Sequence, residues 1–142
     1  MITLESLSFK YEDARQPALH ELSLEVPAGE ILGIVGTEGS GRTSLFRVLN
    51  GTAPRCFPGT LEGQVRVCGF DPQLCGHSDL GAHVSSIFDD PDSQIISLTV
   101  EEEISFALVQ RGLPFKEIEL RVQETLARVG LAGFERRATA SL

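Results

Sequence analysis

The stretch GIVGTEGSGRTSLF, residues 33–46, constrains this chain more than any other. From Gly36 to Thr43 it follows the spacing G-x-x-x-x-G-K-[ST] at every fixed position but one, where Arg42 stands in place of lysine. Just upstream, EILGIV at 30–35 is a short apolar run of the kind expected of a strand buried on both faces. Just downstream, RTSLFRVLN reads as a helix closed by Gly51. A strand feeding a glycine-rich turn and then a helix aims several backbone N–H groups at one volume. The positive end of the helix dipole adds to them, and phosphate oxygens fit there.

Each position of the loop has an expected part. Gly36, Gly39 and Gly41 give φ freedom and let the backbone approach a ligand, while Thr37, Glu38 and Ser40 complete the amide-lined nest. Thr43 is expected to set its hydroxyl on a magnesium ion, and Ser44 to reach a further phosphate. An ordinary glycine turn between strand and helix does not call for Thr43 and both flanking elements together. Arg42 keeps a positive charge but carries it on a wide planar fork, where lysine offers a compact charge on a flexible stem. Phosphoryl transfer depends on placement, so a shift of about 1 Å costs on the order of a hundredfold. Binding is expected and turnover is not.

A chain of 142 residues is long enough for a domain with its own hydrophobic core. A net charge of −8 speaks against a nucleic-acid binder, whereas a local nest of amides takes phosphate whatever the global charge. The opening MITLESLSFKY lacks the basic and long apolar regions of a secretory signal, and no run approaches the roughly 20 apolar residues of a membrane span. The expectation is a soluble, cytoplasmic chain that meets a membrane only through a partner. Cys56, Cys68 and Cys75 are odd in number without C-x-x-C spacing, which points to reduced thiols. Cys75, His77 and His83 match no standard zinc spacing and read as loop residues.

Around the loop, ITLESLSF at 2–9 and ELSLEV at 21–26 alternate as half-buried strands do, and pair across a polar connection containing Pro17. QVRVCG at 64–69 reads as another strand, and HVSSIF at 83–88 as a second member of a central sheet. The period then changes. Thr99 with Glu102 forms a capping box, and Val100, Ile104, Ala107 and Leu108 share a helical face. Pro114 opens a second helix whose inner face is Ile118, Val122, Leu126 and Val129, and Gly130 ends it. Glu101, Glu102 and Glu103 read as a first-turn cluster favoured by the helix dipole. The order predicts an α/β nucleotide-binding domain with an attached helical subdomain.

Taken together with the loop, LSFKY at 7–11, IFDDPDSQIISLTVEEEISFAL at 87–108 and RGLP at 111–114 resemble the ATP-binding subunits of ABC transporters. The likeness is strongest to the energy-coupling-factor group that powers vitamin and metal-ion importers, and it runs from residue 2 to residue 142. It implies the N-terminal portion of a P-loop ATPase: residues 1–88 a β-subdomain and nucleotide-binding core, residues 89–142 the Q-loop and the start of a helical subdomain. It implies ATP and Mg2+ as ligands, with Tyr11 stacking on adenine; a surface tyrosine beside a strand is the plainer alternative. The family's Q-loop glutamine falls at Asp89, which would stand with Thr43 near the metal but accepts hydrogen bonds without donating them.

The resemblance further implies a second ATPase subunit and a transmembrane subunit. The latter would dock in a groove for which Ile95, Ile96, Leu98 and Phe106 are candidates, although most of these are expected to pack the subdomain's own core. The chain would then be peripheral on the inner face of the cell membrane. The sequence reaches RRATASL before the family's signature motif and acidic Walker B strand, so a truncated, nucleotide-binding but hydrolysis-deficient form is expected. EILGIV would be left with an open edge. A degenerate regulatory module without a transport role is the alternative. A small-molecule kinase would leave the run from Pro91 to Glu103 unexplained.

Overall fold

The computed structural model describes residues 1–142, with the side chain of His77 left out. The chain divides into two compact units, Met1–Ser86 and Ile87–Leu142.

The first unit is built on a three-stranded antiparallel sheet. Strand β1 (Ile2–Tyr11) lies in the middle, between β2 (Leu19–Val26) and β3 (Gly59–Val67). The alternation in β1 is not strict: Leu4, Leu7 and Phe9 are all buried, although Leu4 and Leu7 are three residues apart. A bulge reconciles them. Ser6 takes φ 46°, and the register with β2 steps from Leu4↔Leu24 to Leu7↔Leu22. One extra residue in β1 returns Leu7 to the core face. The Ser6 amide, freed from the ladder, donates to Ser23 Oγ at 3.0 Å. A second irregularity on β2 is held the same way, with Glu21 at φ 46° and its amide on Ser8 Oγ at 2.9 Å.

Against this sheet packs helix α1 (Arg42–Leu49), through Leu45 and Val48. Gly51, at φ 74°, follows the end of α1, as its position in the sequence suggests. Strand β3 begins earlier than the sequence pattern indicates, because Gly59–Gly63 continues the ladder with β1 past the alternating stretch. Ala53, Val65, Val67 and Leu80 complete the core, the last from a short helix α2 (His77–Gly81).

Two expected strands are absent. Residues 30–35 and 83–88 carry no strand, and the sheet of the described residues has no parallel member. The apolar run EILGIV therefore stands in solvent, with Ile31 101% and Val35 94% exposed. A strand buried on both faces needs neighbours on both edges, and the described residues provide none.

In the second unit, α3 (Val100–Gln110) and α4 (Phe115–Arg128) pack through Val100, Val122 and Leu126, with Ile104, Ile118 and Leu131 against them. The capping box forms as the sequence predicts. Thr99 Oγ1 accepts from the Glu102 amide at 3.4 Å, and Glu102 Oε2 accepts from the Thr99 amide at 3.0 Å. Pro114 sits at the N-cap, one position before the helical residues. Ala107 and Val129, expected on inner faces, are exposed. Both lie near the C-terminal ends of their helices, away from the Val100–Leu126 contact.

Candidate functional site

The loop from Gly36 to Gly41 is an exposed turn that leads directly into α1. The Ser40 amide donates to the Thr37 carbonyl at 3.2 Å, which closes the turn and leaves Glu38 at its tip. Gly39 takes φ 77° with nothing near its missing Cβ, so that glycine serves the backbone bend alone. Gly36 and Ser40 face one another. A Cβ on Gly36 would fall 2.5 Å from Ser40 Oγ, so the glycine keeps the bend open on its inner side.

Gly41 is the N-cap of α1, at φ 88° and ψ 2°. A Cβ there would lie 2.3 Å from the carbonyl oxygen of Ala18, just before β2. The loop is thus seated on the sheet by backbone against backbone. Arg42 and Thr43, the first helical residues, are exposed, and no acidic residue occupies the first turn of α1. First-turn amides have no partner within a helix, and the dipole is positive at that end. The loop amides, the Arg42 cation and the Thr43 hydroxyl are thus exposed and adjacent in the chain at the positive end of α1. The donor set fits a polyphosphate, and Thr43 offers a hard oxygen suited to Mg2+.

Ser44 is placed differently from the expectation. It is only 7% exposed, and its Oγ lies 3.0 Å from the hydroxyl of Tyr11. Tyr11, at the end of β1, meets Phe9 edge to face, with centroids 4.8 Å apart. Its hydroxyl also accepts from Arg47 Nη1 at 3.1 Å. The sequence reading did not single out Arg47. The available signal was spacing, since Ser44 and Arg47 are three apart on one helix and so share a face.

Asp89 belongs to the second unit and is exposed. The segment around it folds on itself: Gln94 Oε1 accepts from the Phe88 amide at 3.0 Å, and Ser93 Oγ donates to the Asp90 carbonyl at 2.8 Å. Ile95, Ile96, Leu98 and Phe106 are all exposed, contrary to the expectation that most would pack the subdomain core. The reason lies in Glu103. Its carboxylate accepts from the amides of Ile96 (3.1 Å) and Ser97 (2.9 Å), tying the 95–98 segment to α3 through its backbone. Partial burial pushes the Glu103 carboxyl up, but bonds from the backbone and side chain of Ser97 and from the Ile96 amide outweigh it. They leave it below the ordinary value of 4.5.

Among the described residues, no group of three His, Cys, Asp or Glu side chains is placed to hold a metal ion. His77, considered with Cys75 and His83, lies outside the described side chains. Among the described residues, no helix is long and apolar enough to cross a membrane.

Comparison with known proteins gives a consistent picture. The chain is 37% identical over 143 residues to the energy-coupling factor transporter ATP-binding protein EcfA1 of Lacticaseibacillus paracasei, a match covering 100% of this chain and 49% of that protein. It is 37% identical over 131 residues to the putative ABC transporter ATP-binding protein PH1815 of Pyrococcus horikoshii, covering 92% and 46% respectively. The chain thus spans about half the length of these relatives. Among solved structures, it resembles the ATP-binding cassette MJ0796, determined as a dimer in a post-hydrolysis state with ADP and Pi. The TM-score is 0.73 at 20% identity, over 100% of this chain and 63% of the other, which is a likeness of fold. A family model described as ABC transporter matches residues 19–142. On that match and the geometry of its glycine loop, the chain belongs to the ABC transporter family.

Proposed function

We infer that this chain forms the nucleotide-binding part of an ABC transporter ATPase and takes ATP by its phosphates at residues 36–43. The observation that carries the reading is the closed turn at the head of α1, with Gly39 and Gly41 at positive φ and Arg42 and Thr43 exposed. Gly36, Thr37, Glu38, Gly39, Ser40 and Gly41 present the backbone, and Arg42 supplies the charge. Tyr11 is the platform for the adenine ring. Thr43 would offer its hydroxyl to Mg2+, which would offset the charge of the phosphates, and the likeness to the family assigns Asp89 to the same ion.

The relatives named as transporter ATP-binding proteins support a role in transport, and with that role go a transmembrane partner and a second ATPase subunit as parts of the proposal. The exposed apolar set Ile95, Ile96, Leu98 and Phe106 suits the transmembrane partner. Such a chain works as a peripheral protein on the cytoplasmic face of the membrane. Arg42 holds its charge on a rigid fork, and Asp89 lacks the donor that a glutamine amide would offer, so this chain binds ATP without turning it over. The same two departures also suit a regulatory, non-hydrolysing module.

Equilibrium dialysis with ATP and Mg2+, beside an assay of phosphate release, tests the reading. The expected result is saturable binding without phosphate release, tightened several-fold by Arg42→Lys. Steady hydrolysis by the isolated wild-type chain would overturn the non-hydrolysing part, and absence of ATP binding would overturn the whole.

A further inference from the structure

Tyr11 is the only tyrosine in the chain, and there is no tryptophan. Its ring is fixed from two sides. Phe9 packs on it at an interplanar angle of 75°, and its hydroxyl reaches α1. Arginine has only donors, so the phenol oxygen accepts from Arg47, and its own proton is free to point at Ser44 Oγ. The guanidinium of Arg47 lies 3.7 Å from the centroid of the Phe57 ring, which holds it against the sequence that follows α1. Ser44 is the next residue after Thr43. One hydroxyl therefore links the end of β1 to the turn of α1 that follows the glycine loop. Beside the ring is an open cleft of about 440 Å³, bounded by Lys10, Glu12, Pro54, Pro58 and Gly59, large enough to admit a heteroaromatic ring.

We propose that Arg47 is a positioning residue. With Ser44 it clamps the Tyr11 hydroxyl to α1, so that the aromatic ring and the phosphate loop hold a fixed spacing and a nucleotide meets both without reordering either. The inference rests on the reading of residues 36–43 as a nucleotide site and adds a requirement that reading does not contain: base and phosphate recognition are joined through one hydrogen-bonded oxygen. A purely structural Arg47, acting on Phe57 alone, would leave the Tyr11 hydroxyl without consequence for binding.

Titration calorimetry separates the cases, with ATP and inorganic tripolyphosphate as ligands, each with Mg2+. The proteins are the wild-type chain, Tyr11→Phe, Arg47→Gln and Arg47→Lys. Tyr11→Phe keeps the ring and removes only the hydroxyl. The expected result is a loss of ATP affinity of roughly 2- to 10-fold in Tyr11→Phe and Arg47→Gln, the scale of one hydrogen bond. Tripolyphosphate affinity is unchanged, and Arg47→Lys recovers part of the loss. Because Tyr11 is the sole emitter, tyrosine fluorescence of the ligand-free protein should also differ between wild type and Arg47→Gln.

Equal losses for both ligands, or undiminished ATP affinity in a folded Tyr11→Phe, would overturn the proposal. Should Arg47→Gln fail to fold by circular dichroism, Tyr11→Phe decides alone. A wild-type chain that binds tripolyphosphate but shows no preference for ATP removes the base platform and the clamp while leaving the phosphate site. One that binds neither removes the site and the clamp with it.

Discussion

Gly39 and Gly41 have similar positive φ, 77° and 88°, and different surroundings, which makes them a useful pair. Both lie at positive φ, but only Gly41 would bring a Cβ against another backbone atom, 2.3 Å from the Ala18 carbonyl. Gly39→Ala should cost about 1–2 kcal/mol, from the left-handed conformation alone. Gly41→Ala adds a clash with a carbonyl that cannot rotate away, and should lower stability further and weaken phosphate binding. Thermal unfolding of the two variants checks the order; equal destabilisation would mean that the loop does not rest on β2 as described. The glycine spacing made both positions visible in the sequence. The Ala18 contact was not visible, because it joins the loop to a strand lead well upstream. Tyr11 follows the same pattern. Its place at the end of the opening strand was legible, whereas the partners of its hydroxyl depend on how α1 docks on the sheet.

At the scale of elements, α3 was the most legible, since a capping box is local and its signal is complete in four residues. Glu103 was less so. It read as one of three first-turn acids, and it instead holds the preceding segment by accepting two amides. Its folded-state carboxyl lies below 4.5, so the stabilisation is fully present above that value and is lost as pH falls through the folded value. Glu103→Gln should therefore lower hydrogen-exchange protection at the Ile96 and Ser97 amides near neutral pH, and the difference from wild type should vanish in acid. A difference that persists undiminished in acid would count against the carboxylate's role. The strand expected at 30–35 shows the limit of reading composition. An apolar run states a need for burial on both faces, and satisfying it requires partner strands that no local pattern supplies.

For the molecule as a whole, that unmet need sets its solution behaviour. Ile31 and Val35 are exposed on a segment that carries no strand and has no proline between them, a surface prone to pairing with copies of itself. The net charge of −8 opposes this association at low salt, and added salt screens the repulsion. Light scattering should show larger particles as salt rises, and the double variant Ile31→Lys, Val35→Lys should stay small throughout. Particle size independent of both salt and these substitutions would place the association elsewhere. Inside the sheet, the serine-held bulge of β1 carries a different consequence. Straightening the strand at unchanged length would put Leu4 and Leu7 on opposite faces and send Phe9 and the Tyr11 ring to the wrong side, whereas losing one residue there would restore plain alternation with the same partners. What this strand must preserve is the match between its residue count and its kink, since either one changed alone decides which way every later side chain faces.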